Sequence, residues 1–166
     1  MQTTKLYDGS IVNKWSPQCN VCGELDELVC HLGLAKYSCN KTVFLAKEIS
    51  KLQKSVSIII TEVSCLAGHP YTPINNDFLN ILEDKIESIL LKMKLPTGFI
   101  VPGTTETSGR LDLARAVCRR CERSILKLYD DKLVGNKLIT SYMNRLSWYI
   151  YLLARYSEEG KYENYY

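Results

Sequence analysis

Between Ser108 and Tyr129 the chain reads SGRLDLARAVCRRCERSILKLY, which gathers Arg115, Arg119, Arg120 and Arg123 around Glu122. At 100° per residue, Arg115, Arg119 and Glu122 fall within about 60° of one another on a helix, beside an apolar stripe of Leu111, Ala114, Cys118, Cys121, Ile125 and Leu128. A guanidinium keeps its charge and binds carboxylate or phosphate oxygens in pairs, so arginines at the margin of a buried seam select a carboxylate from another helix or an anionic ligand. The simpler alternative is a surface ion-pair ladder. Ser108 is the expected N-cap.

Two flanking segments supply what arginine lacks. LPTGFIVPG, residues 95–103, is broken by Pro96, Gly98, Pro102 and Gly103, so it holds Phe99 on a loop that feeds the arginine helix. SYMNRLSWYIYLLAR, residues 141–155, has helical spacing, with Asn144, Trp148, Tyr151 and Arg155 on one stripe and Leu146, Tyr149, Ile150 and Leu153 opposite. An amide, two aromatic rings and a cation therefore share one helix face. Phe99 is read either as part of a site or as a core residue carried on a loop.

Other helices must position these segments. Residues 17–37 form a first helix that turns Val21, Leu25, Leu28, Val29 and Leu32 inward and sets Asp26 beside that face. Residues 42–67 form a second, ended by Gly68, with His69 an incidental loop histidine. Residues 75–94 form a third around Phe78, Leu82, Ile86 and Ile89, and Asn136 caps the last helix. No segment alternates as a strand does. The expected fold is all-α, a five-helix up-and-down bundle in one domain spanning residues 1–166, with a loop at about 1–17 and a frayed tail at about 158–166.

The N-terminal loop brings Thr4, Lys5, Asp8, Gly9 and Ser10 together, with Lys14 nearby. A basic residue, a glycine and hydroxyls can cradle phosphates through backbone N–H groups. The net charge of +3 is too small for a nucleic-acid footprint, and the basic residues of the arginine helix are spread around it. The most apolar run, residues 55–68, is interrupted by Glu62 and is shorter than a membrane span, and residues 1–16 have no secretory apolar core. A cytoplasmic protein is expected. Seven cysteines is an odd number, and free thiols are expected. The pairs Cys19/Cys22 and Cys118/Cys121 allow a zinc site in principle, but arginines beside the second pair oppose a dication, and no metal site is assigned.

Four boxes in order, Asp26-Glu27-Leu28-Val29, Phe99-Ile100-Val101-Pro102-Gly103-Thr104, Ala114 to Arg123 and Tyr142 to Trp148, resemble the PduO-type ATP:cob(I)alamin adenosyltransferases. The resemblance covers most of the chain and implies a ferritin-like helical bundle. It also implies a reaction in which cobalt(I) of cobalamin attacks the 5′ carbon of ATP and expels triphosphate. It assigns Thr4, Lys5, Asp8, Gly9, Ser10 and Lys14 to the triphosphate, and Arg119, Glu122 and Asn144 to the nucleotide. Phe99 is placed below the corrin, and Asp26 of one subunit pairs with Arg115 of the next in a homotrimer whose active sites lie at subunit boundaries. An intrachain Asp26–Arg115 pair fits the spacing equally well. ATP and cobalamin are then substrates, Mg2+ accompanies ATP, and a reductase supplies cob(I)alamin.

Two positions depart from the pattern. Tyr7 stands where the family's phosphate loop has its first glycine, and Trp148 stands where an aspartate follows N-R-L-S. The alternative reading is a catalytically impaired member that binds nucleotide or corrinoid as a carrier or regulator.

Overall fold

The computed structural model describes residues 2–39, 42–65, 70–161 and 163–165. Five helices form, α1 (Pro17–Ser38), α2 (Val43–Val63), α3 (Asn76–Leu90), α4 (Glu106–Asp130) and α5 (Leu138–Ser157). The expected all-α bundle is thus what the chain builds. Gly68 and His69, expected to close the second helix, lie outside the described residues.

Packing follows the apolar stripes. α1 lies between α2 and α4, α4 lies between α1 and α5, and α3 is carried mainly on α5. The core is continuous: Leu25, Leu28 and Leu32 of α1 meet Leu111, Cys118, Cys121 and Ile125 of α4, with Met143, Leu146 and Ile150 of α5 in the same buried cluster. α1 and α4 run antiparallel. Thr107 at the start of α4 donates to the Ser38 carbonyl at the end of α1 (3.1 Å), and Cys121 donates to the Glu24 carbonyl (3.3 Å).

Three local readings of the sequence change. α4 begins three residues earlier than Ser108 implied, because Thr105 is its N-cap: the Thr105 hydroxyl accepts from the Ser108 N–H, and the Ser108 hydroxyl accepts from the Thr105 N–H. Ser108 therefore completes a capping box in place of the usual Glu or Gln. Residues 3–13 are not an irregular loop but an antiparallel hairpin, β1 (Thr3–Lys5) and β2 (Ile11–Asn13), with Thr4 opposite Val12. Nor are the described residues of the tail without contacts. Glu158 is buried, and residues 163–165 pair with the Phe99 loop through Val101 N–H to the Glu163 carbonyl (2.8 Å) and Tyr165 N–H to the Phe99 carbonyl (3.1 Å).

Two buried carboxylates join the helices. Glu62 of α2 accepts from the Ile74 N–H (2.9 Å) and from Asn136 (2.8 Å), while the Asn136 amide oxygen accepts from the Leu138 N–H; the N-cap position of α5 is Lys137, not the expected Asn136, which instead ties the start of α5 to α2 from one residue upstream. Glu48, also on α2, receives Lys51 (2.6 Å), Lys85 and the Tyr149 hydroxyl (3.0 Å). Burial works to raise the Glu48 pKa, but the two lysines and the tyrosine more than offset it and hold the carboxyl below its ordinary value of 4.5. A carboxyl depressed in the folded state stabilises the fold above the unfolded pKa, and that stability is lost as pH falls through the folded value. Melting temperature is therefore expected to fall below pH 4.5 in the wild type and to fall less in Glu48→Gln. Thermal melts at pH 7 and pH 3.5 check this, and equal acid losses in the two proteins would refute it.

Candidate active site

α4 and α5 pack side by side, and the loop before α4 folds over the groove between them. The result is a cavity of about 560 Å3 that brings Phe99, Arg115, Arg119, Asn144, Trp148 and Tyr151 into one wall. All six lie on the three separate segments that the sequence singled out.

Loop geometry explains why Phe99 is available. Gly98 (φ +127°) and Gly103 (φ +96°) occupy backbone conformations that L side chains rarely adopt, and a Cβ on Gly109 would come within 3.2 Å of the Gly103 Cα. Two glycines in contact thus let the loop lie against the first turn of α4. Within it Ile100 is buried as an anchor, while Phe99 is 81% exposed. Phe99 is not a core residue. It is a large apolar ring held out at the cavity by a loop whose Phe99 carbonyl accepts one backbone hydrogen bond.

The arginines divide by face. Arg120 turns to α1 and pairs with Glu27, whereas Arg119 faces the cavity. Among the described residues Arg119 has no ion pair and no hydrogen bond. Arg115 lies 4.0 Å from Asp112 and over the Tyr151 ring (5.9 Å), and its buried Nε makes no hydrogen bond. A guanidinium with an unmet buried donor selects an added acceptor. At the other end of the groove Asn144 donates to Glu122 (2.9 Å), which fixes both side chains beside the arginines.

Asp112, Tyr151 and Arg155 complete the wall and were not assigned roles from the sequence. Arg155 is buried between Asp112 (2.7 Å) and Glu158 (2.8 Å), and its guanidinium lies 4.9 Å from the Tyr151 ring centre. Burial acts against its charge, and the two carboxylates more than offset that, keeping it cationic. The legible signal was Asp112 itself, an acid three residues from Arg115 on the edge of the buried stripe.

Two groups of expected residues lie elsewhere. Asp26 is exposed on α1 and has no ion pair among the described residues, so the intrachain pairing with Arg115 does not form. The hairpin carrying Thr4, Lys5, Asp8, Gly9 and Ser10, with Lys14 after it, precedes α1 and so lies toward the C-terminal end of α4, away from Phe99. Its turn is preformed: the Asp8 carboxylate accepts from the Ser10 N–H (2.9 Å), and Gly9 adopts φ +88°. No described helix packs extensively on either strand, and Tyr7, Ile11 and Trp15 are mostly exposed.

The cysteines do not contribute to the cavity. Cys118 donates to the Met143 carbonyl. Burial, with Glu24 beside it, pushes the Cys121 thiol up to about 12, so it stays protonated at neutral pH. Among the described residues no group of three or more His, Cys, Asp or Glu side chains is arranged to hold a metal ion, and no described helix is long and apolar enough to cross a membrane.

A family model described as cobalamin adenosyltransferase matches residues 1–157. The chain belongs to that family. It is 29% identical over 165 residues to the corrinoid adenosyltransferase PduO of Citrobacter freundii, covering 98% of this chain and 49% of that protein. It is 32% identical over 155 residues to the human corrinoid adenosyltransferase MMAB, covering 87% and 61%. The chain spans about half the length of PduO proteins from two bacteria. Among solved structures, a phenylalanine-to-histidine variant of the PduO-type ATP:corrinoid adenosyltransferase of Lactobacillus reuteri, complexed with cobalamin and ATP, superposes with a TM-score of 0.89 at 27% identity, covering 99% of this chain and 91% of that one. An arginine-to-lysine variant of the same enzyme, complexed with ATP, gives 0.89 over 99% and 95%. Family membership accounts for the order of the four boxes, and the adenosyltransferase fold places three of them around one cavity.

Proposed function

We propose that this family member transfers the 5′-deoxyadenosyl group of ATP to cob(I)alamin. The observation that carries the reading is the cavity in which an exposed phenylalanine on a braced loop faces two arginines without full partners and an asparagine fixed by a glutamate. An electron pair on cobalt(I) forms the bond to the 5′ carbon as the carbon–oxygen bond breaks, and the pair leaves on triphosphate. The chain's task is to hold the leaving charge, align the 5′ carbon and keep water from the corrin. Arg119 meets the phosphates, Glu122 and Asn144 meet the nucleoside, and Phe99 lies below the corrin. Mg2+ would be held chiefly by triphosphate oxygens and water.

Assembly belongs to the same proposal. A hairpin on which no described helix packs extensively, an exposed Asp26 and an Arg115 with an unmet donor are together explained by a homotrimer. In it the hairpin of one copy closes over the cavity of the next, and Asp26 pairs with Arg115 across the boundary. The protein would work in the cytoplasm on cobalamin delivered reduced by a reductase. Light scattering at micromolar protein is expected to give three times the chain mass, and Arg115→Ala is expected to shift it toward monomer. A wild-type monomer would count against the trimer.

The function is tested by anaerobic incubation of the protein with cob(I)alamin and ATP. Adenosylcobalamin should form with one triphosphate per transfer. Binding of both substrates without product would instead favour a carrier. Arg119→Ala is expected to weaken ATP binding at least ~10-fold, since a charge-assisted phosphate contact is worth about 1.5–3 kcal/mol. Arg120→Ala, on the α1 side, should change it little. Equal calorimetric affinities for wild type and Arg119→Ala would remove Arg119 from the site.

A further inference from the structure

A second and larger cavity, of about 840 Å3, opens at the end of the bundle that carries Phe99. Its walls come from the end of α1, the start of α2, the residues after α3 and the end of α5. Leu45 and Met93 give it an apolar side, Tyr156 an aromatic one, and Lys92 and Lys94 two cations.

This cavity adjoins the candidate active site, because Arg155 lines both. Two chain segments also run from one to the other. Lys92 and Lys94 lead directly into the loop of Phe99, and Glu159 and Gly160 on the rim lead into residues 163–165, which brace that loop. Charge in the cavity is unbalanced. Neither lysine has an ion pair among the described residues, and the Lys92 ammonium lies 5.3 Å from the Phe44 ring centre. Arg155 is already balanced by Asp112 and Glu158, so the two lysines face Glu159 alone.

Two cations beside an aromatic and apolar wall fit an anionic group joined to a flat ring, and the volume suits a ligand of nucleotide size. The lower face of cobalamin carries such a group, a phosphodiester that ends in a benzimidazole base. A Phe99 ring that keeps the base from cobalt obliges this appendage to lie elsewhere on the same face. We propose that the cavity at the end of the bundle is the subsite for the nucleotide appendage of the corrinoid, with Lys92 and Lys94 at the phosphodiester and the base against Met93 and Tyr156. This rests on the reading of the chain as a corrinoid adenosyltransferase with Phe99 below the corrin. The subsite distinguishes complete corrinoids from those that lack the nucleotide.

The test titrates the full chain, loaded with ATP, with cob(II)alamin and with cob(II)inamide, which has neither phosphodiester nor base. Lys92 and Lys94 are both exposed, so replacing them costs the fold little. Lys92→Gln combined with Lys94→Gln is expected to weaken cob(II)alamin binding at least ~10-fold, the scale of one charge-assisted contact, and to leave cob(II)inamide and ATP within about twofold of wild type. Comparing proteins within one corrinoid cancels the cost of freeing the base from cobalt. Lys47→Gln combined with Lys54→Gln removes the same charge from exposed positions outside the cavity and should change neither corrinoid. Equal losses for the two corrinoids, equal losses from the two lysine pairs, or no loss at all would overturn the proposal. A free nucleotide offers the same phosphate and ring, so AMP is titrated alone; AMP binding that depends on Lys92 and Lys94 would reassign the cavity and overturn the subsite. Wild type that binds neither corrinoid would overturn the corrinoid reading itself, and that result is seen before any variant is made.

Discussion

Phe99→Ala is expected to slow adenosyl transfer from enzyme-bound cobalt(II) by ~100-fold or more, about 2.7 kcal/mol of barrier, while ATP affinity stays within about twofold of wild type. The ring stands 81% exposed at the cavity, so its removal costs the fold little, and in the proposed function it takes away the apolar cover of the corrin's lower face. Water or the corrinoid's own base can then coordinate cobalt(II) from below. A cobalt(II) with that ligand is harder to reduce than one without it, so the loss should be steep when reduction occurs on the protein and shallower when cob(I)alamin is supplied. Electron paramagnetic resonance of the wild type with ATP and cob(II)alamin should show a four-coordinate signal that Phe99→Ala lacks. A five-coordinate spectrum in both proteins would return Phe99 to an incidental surface ring.

The largest effect on stability is expected at Arg155. Its side chain is 1% exposed between Asp112 and Glu158, whose side chains are 7% and 0% exposed. Arg155→Met would leave two buried carboxylates without their cation, at about 3–5 kcal/mol, the range for breaking a buried pair. For a chain of this size that corresponds to a fall of roughly 10 °C in melting temperature. Adding Asp112→Asn and Glu158→Gln to Arg155→Met should recover much of the loss, because the charges are then removed with their counterion. If the single variant melts within a degree or two of wild type, the cluster is not a stabilising element.

The helices were legible because their apolar residues recur at helical spacing over four or more turns, as Leu25, Leu28 and Leu32 do on α1. The hairpin was not, since its two strands have three residues each, and Ile11, the largest apolar side chain in them, points to solvent. The start of α4 was misplaced because a serine at the third helical position does what Glu or Gln usually does. Arg119, Phe99 and Asn144 could be picked out because each type is unusual in its setting: a cation beside a seam, a ring on a loop, an amide among aromatics. Arg155 was placed on its stripe but not in its ion cluster, since Glu158 three residues on was assigned to the tail and Asp112 lies 43 residues away, brought to it only by tertiary packing.

Two main-chain hydrogen bonds tie residues 163–165 to the Phe99 loop, and the Glu163 and Asn164 side chains are exposed. Selection on such a strand acts through the peptide bond. Residue 165 must keep an N–H for the Phe99 carbonyl, so proline is excluded there, and residue 163 need only offer its carbonyl. Substitutions at 163 and 164 that preserve an extended backbone should therefore drift neutrally, although the phenylalanine they brace cannot.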